Sequence, residues 1–197
     1  MSRVQKAPTK IVVILFRDPK AWAAWLQKNH DKSGGVWLRI AKKGAKIRSI
    51  SYDDALEGAL SYGWIDAQKK SYDQEAWLQR FSPRGPRSIW SKINRKKAQA
   101  LIEDGRMKPA GMRAVERAKE NGEWQTAYDG QRGIEVPPDL QKEFKAHPAA
   151  KTFFQGLNSV NRYAILHRIQ MAKKPETRAR RIRQFVEMLD RQEKLYP

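Results

Sequence analysis

The stretch SYDDALEGALSYGWID, residues 51–66, decides the fold because it joins a helix to a strand through one glycine. Ser51 predicts an N-cap, and Asp53 and Asp54 follow in the first turn, where the helix dipole favours acidic side chains. Gly63 predicts the end of this helix. Apolar residues recur at helical spacing and predict its buried face: Ala55, Leu56, Ala59 and Leu60.

Strands are predicted on both sides of this helix. Residues 36–41 alternate, with Val36, Leu38 and Ile40 on one face. Residues 64–69 and 75–81 predict two more strands, and the apolar run 11–16 predicts another. Asp18-Pro19 opens a helix between the first two strands, with an N-cap acid followed by proline at the first helical position.

From Ser91 onward the pattern is helical. Ser91 predicts a cap for a helix to about residue 104, and Ser159 predicts one for a helix to about residue 173. Further helices are predicted over 109–121, over 137–147, from Pro148 onward and over 175–194. The predicted fold class is therefore α+β, with a small, mostly antiparallel sheet flanked by helices and then an all-helical part. We predict three regions: an α/β domain over 1–90, a helical connection over 91–133 and a helical domain over 134–197.

Composition restricts the function classes. The chain has no cysteine, which excludes disulfides and thiolate chemistry in these residues. No apolar run is long enough for a membrane span or a signal peptide, so we expect a cytoplasmic location. The net charge of +19 attracts polyanions, but the excess is spread evenly along the three thirds of the chain, with no basic tail.

Several long motifs resemble one bacterial family. They are YDDALEGALSYGWID (52–66), QRFSPRGPRSIWSKINR (79–95), RMKPAGMRAVERAKENGEW (106–124), VPPDLQKEFKAHPAAKTFFQGL (136–157) and AKKPETRARRIRQFVEML (172–189). Together they resemble the YdeI/OmpD-associated family, which is often described as bacteriocin-protection. The resemblance implies a YjbR/CyaY-like (frataxin-like) first half, an OmpD-associated helical second half, and a link to envelope stress or peptide tolerance. It carries over no catalytic residues.

Two positions depart from the pattern of that family. Ser61 stands where many relatives carry cysteine, and Ala67 where many carry glycine. The first departure argues against a thiol mechanism. A frataxin-like fold also suggests iron binding through an acidic ridge, but the basic charge and the scattered acids argue against it. Because His30, His147 and His167 show no ligand spacing, we expect no metal and no cofactor.

The first candidate site is the turn around Trp64. Glu57 lies on the helix that leads into it, and Asp66 follows it. The two carboxylates beside an aromatic wall are typical of an acid/base or cation site. The alternative is that Trp64 is a core residue and that both acids pair with arginines from 80–87, and we favour this alternative.

The second candidate is the arginine- and aromatic-rich run that follows. Guanidinium groups of Arg80, Arg84 and Arg87 with the ring of Trp90 suit a planar anion. Ser91 and Asn94 open a helix whose N-terminal donors fall at the same place. The alternative is a solvated docking loop.

Three functions stay open from the sequence. The favoured one is a non-enzymatic binding protein for a small anionic ligand or a protein partner, and the second is a nucleic-acid-associated basic protein. An enzyme with Asp66 or Glu57 as base has the weakest support. The basic run 173–183 attracts attention, but its arginines surround the predicted helix, which favours a solvated surface over a binding stripe.

Overall fold

A computed structural model describes residues 12–197. The chain forms two compact units. The first comprises the described residues up to Trp90 together with Asn94–Thr126, and the second comprises Ser91–Ile93 and Ala127–Pro197. The predicted α+β class is confirmed, because the first unit holds a small mixed sheet and most helices follow it. The three-part division at residues 90 and 133 stays a prediction.

The sheet of the first unit has four strands within the described part of the chain, in the order β1-β2-β4-β3. They are β1 (Val13–Ile14), β2 (Val36–Ala41), β3 (Trp64–Ser71) and β4 (Ala76–Pro83). Only β1 and β2 run parallel, and the other pairs are antiparallel. β2 matches its prediction, whereas β1 has only two residues and Ile11 of the predicted run lies outside the described residues.

Two helices, α1 (Pro19–Asn29) and α2 (Tyr52–Ser61), supply the core against this sheet. Both predicted caps are confirmed, since Asp18 Oδ1 accepts from the Ala21 amide at 2.8 Å and Ser51 Oγ from the Asp54 amide at 3.1 Å. The core contains the fully buried side chains of Trp22, Trp64 and Phe81. The side chains predicted for one face of β2 are buried in it, as alternation requires.

Two further helices complete the first unit, α3 (Lys92–Glu103), which belongs to it from Asn94 onward, and α4 (Pro109–Glu120). α4 lies against the end of α2 at two glycines. A Cβ at Gly111 would lie 2.4 Å from the Ser61 carbonyl oxygen, and one at Gly63 would lie 2.8 Å from the Ala110 oxygen. Gly63 also has φ +74°, so only glycine meets both demands without strain. The GWID motif thus begins at a close helix–helix contact.

The second unit is helical throughout its described elements: α5 (Pro138–Ala146), α6 (Pro148–Gly156), α7 (Ser159–Gln170) and α8 (Pro175–Asp190). Its core is aliphatic and phenylalanine-rich, with Phe144, Phe154, Ile165 and Leu189 buried. α7 is capped by Asn158 and not by Ser159, and α8 ends at Asp190, earlier than predicted. None of the helices within residues 12–197 has the length and apolarity needed to cross a bilayer.

Candidate functional site

Trp64, the centre of the first predicted site, belongs to the core. Its side chain is 1% exposed, and its indole nitrogen donates to the His30 carbonyl at 3.1 Å. Its ring meets Trp22 and Trp25 edge-on, with centroids 6.5 and 5.8 Å away. This buried ring is therefore not placed as the wall of an open cleft.

The two carboxylates of that predicted site have separate partners. Glu57 forms an ion pair with Arg106, and Asp66 accepts a hydrogen bond of 2.8 Å from the Tyr52 hydroxyl. The expected pairing of both acids with arginines from 80–87 is wrong, since these partners come from elsewhere in the first unit. The structure does not bring the two acids together as an acid/base pair.

Arg84 and Trp90 do come together, but as a packed contact. The guanidinium carbon of Arg84 lies 3.6 Å from the centre of the Trp90 ring, and Arg84 Nη1 donates to the Ile89 carbonyl at 3.0 Å. Both side chains are buried. Arg117 donates to the Arg84 carbonyl and Asn121 to the Pro86 carbonyl, at 3.2 and 3.0 Å, so the turn is fastened to α4. The hollow between these groups has no room for a water molecule.

The remaining residues of the second candidate are dispersed. Arg87 is exposed on the turn, and Asn94 is buried on α3. Ser91 is buried in the second unit, where it pairs with Tyr128 in an isolated bridge. The nine predicted site residues therefore share no single cleft within either unit, and their role in binding stays a prediction.

Arg80 lies on a different surface, the side of the sheet opposite α1 and α2. Register places it beside Trp37, and the next pair along the same side is Arg39 with Leu78. On β3, Lys70 pairs with Leu78 and joins this side. We call this surface the open face and define it by five residues: Trp37, Arg39, Lys70, Leu78 and Arg80. All except Leu78 are exposed or half-buried.

A register shift in β3 decides which lysine reaches the open face. Asp66 pairs with Phe81, but Lys69 pairs with Gln79, so one extra residue is inserted between them. Without this irregularity, Lys69 would stand opposite Leu78. With the extra residue, Lys70 stands opposite Leu78 instead, because a shift of one residue exchanges the two faces of a strand. Lys69 falls on the other side, where its ammonium lies 4.4 Å from the Trp77 ring centre.

Aromatic rings and cations alternate over the open face. The Lys70 ammonium lies 4.9 Å from the centre of the Trp37 ring. The Arg39 guanidinium lies 5.4 Å from the ring of Tyr72, which is 53% exposed in the turn beyond β3. Such cation–aromatic contacts hold the charged groups over the sheet at little cost in hydration. The stems of these long side chains also cover Leu78, which is only 8% exposed.

The charge of the open face is poorly balanced by acids. Asp73 lies at its end and forms an ion pair of 2.8 Å with Arg39. Desolvation acts to raise the pKa of Asp73, but amide hydrogen bonds from Ala76 and Glu75 and the charge of Arg39 bring it below its ordinary value. Asp73 is therefore ionised at neutral pH. No ion pair of Lys70 or Arg80 is found within the described residues.

The two arginines of the open face retain hydrogen-bonding capacity. The Nε atoms of Arg39 and Arg80 are buried and have no hydrogen-bond partner among residues 12–197. A Cβ at Gly35 would lie 3.5 Å from Arg80 Nε. Both Nε atoms are closed off from solvent, so an anion on the open face would meet other parts of the two guanidinium groups.

The basic segment 173–183 forms the start of α8 and behaves as a solvated helix. Ile182, Val186 and Leu189 are buried on one side. Arg178 donates to both oxygens of Asp139, at 2.6 and 2.9 Å, which raises the pKa of Arg178. Arg180 and Arg183 are exposed on other sides. The expectation that the arginines surround the helix is confirmed.

Sequence reasoning missed most of the open face. Trp37 and Arg39 could have been assigned to this face from the sequence, because they alternate with Val36, Leu38 and Ile40, the residues predicted for the covered side. The signal for Lys70 is absent from the sequence, because the register irregularity depends on strand pairing. Among the described residues, no three histidine or acidic side chains lie together as metal ligands.

Comparison with known families gives two matches that do not overlap. Residues 14–114, just over half of the chain, match the model described as "Domain of unknown function (DUF8412)". Residues 133–192 match the model described as "Bacteriocin-protection, YdeI or OmpD-Associated". The second match supports the resemblance to the YdeI family, whereas the YjbR/CyaY-like character of the first half is not confirmed. No curated protein and no solved structure matches the chain.

Proposed function

We propose that this chain binds single-stranded nucleic acid on the open face. The chain belongs to the family described as a domain of unknown function (DUF8412), with a YdeI/OmpD-associated match over residues 133–192. Because neither description names an activity, the proposal rests on the residues of the chain itself. One observation carries the proposal: on a partly exposed, mostly antiparallel sheet, Trp37 pairs with Arg80 on the neighbouring strand, and the Lys70 ammonium lies 4.9 Å from its ring centre. The proposed role is binding and not catalysis.

The chemistry of this surface suits a nucleic-acid strand. Phosphates attract the lysine and arginine groups, and bases stack on exposed rings whatever their sequence. Trp37 and Tyr72 offer two such rings on one side of the sheet, each with a cation nearby. The overall charge of +19 adds long-range attraction for a polyanion.

A single strand fits better than a duplex. Bases in a duplex stack on each other, so their faces are hidden from protein rings, whereas an unpaired strand exposes them. The open face has the flat shape of a sheet and presents no helix that could enter a major groove. We therefore expect little preference among base sequences and a clear preference for unpaired strands.

The small-anion site expected around Arg84 and Trp90 has less support. A ligand there would have to separate a guanidinium and a ring that lie 3.6 Å apart and enter a hollow too small for a water molecule. The open face needs no such rearrangement, because its cations are already exposed or half-buried.

The test is fluorescence anisotropy with a labelled oligothymidylate at several salt concentrations. We expect binding at low salt that weakens as salt rises. Trp37→Ala removes one stacking platform worth about 1–3 kcal/mol, so the Kd should rise by about 5- to 150-fold. The matched duplex should bind more weakly than the single strand.

The control variant is Arg180→Gln with Arg183→Gln on α8, which removes two exposed cations in the second unit. It should change the Kd by about twofold or less, since neither arginine belongs to the open face and such exposed charges act only through screened attraction. Equal losses in this variant and in Trp37→Ala would mean that binding follows overall charge. That result, or no complex at low salt, would overturn the proposal.

A further inference from the structure

The second unit contains a half-open cavity of about 510 Å³. This lies within the range of roughly 300–1,000 Å³ typical of small-molecule sites. Its lining includes the apolar residues Ile134, Val136, Pro137 and Leu166. Pro137 and Pro138 at the start of α5 also line it, and the two prolines stiffen this part of the wall. The cavity can therefore take an apolar group of several carbon atoms.

The lining also holds an ion pair. Lys92 Nζ lies 2.6 Å from Asp129 Oδ1, and the lysine side chain is 53% exposed while the aspartate is 20% exposed. An ammonium group has three protons, so Lys92 keeps donors for a ligand while it contacts Asp129. Two opposite charges are thus presented side by side in the lining of the cavity.

Gln170 fixes the position of this ion pair. Its amide nitrogen donates to Asp129 Oδ2 at 2.6 Å, and its amide oxygen accepts from the Asp129 backbone at 3.1 Å. Burial acts to raise the pKa of Asp129, but the hydrogen bonds from Lys92 and Gln170 and the charge of Lys92 lower it. The carboxylate therefore stays ionised at neutral pH.

The cavity is lined by charges of both signs. Lys92 and Arg178 are the cations, and Asp129 and Glu135 are the acids. Arg178 is already occupied, since it donates to Asp139 and to the Ile169 carbonyl. Lys92 and the two acids remain, so a ligand that carries both an anionic and a cationic group finds a partner for each, whereas a ligand of one sign meets only one kind of partner.

We propose that this cavity binds a free α-amino acid with a branched apolar side chain. The carboxylate of the ligand contacts Lys92, and its ammonium group contacts Asp129 and Glu135. Because the lysine and aspartate atoms are 2.6 Å apart, the two ligand charges must also be close together, as they are on one α-carbon. The side chain of the ligand packs against Ile134, Val136 and Leu166.

Isothermal titration calorimetry of the full chain with four probes tests the charge requirement. L-Leucine carries both charges, isocaproate lacks the amine, isoamylamine lacks the carboxylate, and glycine lacks the apolar side chain. We expect leucine to bind about tenfold more tightly than each of the others, the size of one charge-assisted contact or one lost apolar group. Equal affinity for leucine and isocaproate would overturn the proposal, and so would no heat at millimolar leucine.

Two variants separate recognition from structural support. Lys92→Met should weaken leucine by about tenfold without weakening isoamylamine, because only the carboxylate contact is lost and Asp129 is freed from its competing cation. Asp129→Asn should weaken leucine without weakening isocaproate, because Lys92 is freed in the same way. A merely structural ion pair would instead weaken all probes together, and that pattern would overturn the proposal.

Controls keep this test decisive if one variant folds poorly. Lys96→Met removes an exposed lysine four residues further along α3 that does not line the cavity, and it should leave leucine binding unchanged. Glu135→Gln removes an exposed acid with little risk to folding and should weaken leucine by a few fold. An unchanged affinity in Glu135→Gln, Lys92→Met and Asp129→Asn would contradict the assigned contacts.

Discussion

The two faces of the sheet in the first unit carry the same strands and different chemistry. On the covered face, Leu38 and Phe81 pack with Trp22 of α1 and are completely buried. On the open face, Trp37 stands beside Arg80 and Lys70 and stays partly exposed. The difference shows that strand alternation gives one side to stability and leaves the other available for binding. Residues that the core does not need are the ones that indicate function.

The largest expected effect comes from the covered face. Trp22→Ala removes a completely buried ring and should lower the free energy of unfolding by about 3–5 kcal/mol. Trp37→Ala, on the open face, should lower it by about 1 kcal/mol or less, because its ring is already partly hydrated. Chemical denaturation monitored by circular dichroism measures both values. A similar loss in the two variants would break the distinction between the faces.

The sequence predicts the covered face well, since Val36, Leu38 and Ile40 alternate and the helix caps at Asp18 and Ser51 are local signals. It fails for the candidate site because aromatic–arginine patterns do not reveal packing. Arg84 and Trp90 pack against each other, although the same two residue types in sequence are typical of a ligand site. The partners on the open face depend on strand register, which long-range pairing sets.

A second prediction concerns the cations of the open face. Arg80→Gln and Lys70→Gln should each weaken oligothymidylate binding and reduce the steepness of its salt dependence by about 0.7, the value for one phosphate contact on a single strand. The measurement is the slope of log Kd against log salt concentration. Arg113→Gln, an exposed arginine of α4, is the matched control and should leave the slope unchanged. If all three variants show the same slope, the oligothymidylate must bind elsewhere on the protein.

The ion pair between Lys92 and Asp129 in the second unit should make the stability of the folded chain depend on pH. The pKa of Asp129 is lowered in the folded state, so its stabilising contribution is complete above the unfolded value of about 3.9 and is lost as the pH falls further. Asp129→Asn should therefore be less stable than the natural chain at about pH 6, with the difference closing towards about pH 3. Thermal unfolding across this range measures it, and a constant difference would show that the charge of Asp129 is unimportant.

The smallest expected effect is at the end of the open face. Asp73→Asn keeps the amide contacts of the turn and removes the charge that pairs with Arg39. The released guanidinium should tighten oligothymidylate binding by about twofold, since exposed ion pairs compete only weakly. Anisotropy at low salt measures the change. Weaker binding in Asp73→Asn would mean that the aspartate positions Arg39 and does not compete with the phosphates.

The central claim is that a single strand lies on the open face, and the indole resonances of the tryptophans test it most directly. In a ¹H–¹⁵N spectrum titrated with oligothymidylate, the indole signal of Trp37 should shift, while the signals of Trp22 and Trp64 in the core should not. Backbone amides of β2 and β4 should shift with Trp37. Shifts centred on Trp90 and Trp124, or on the amides of α8, with Trp37 unchanged, would contradict the account.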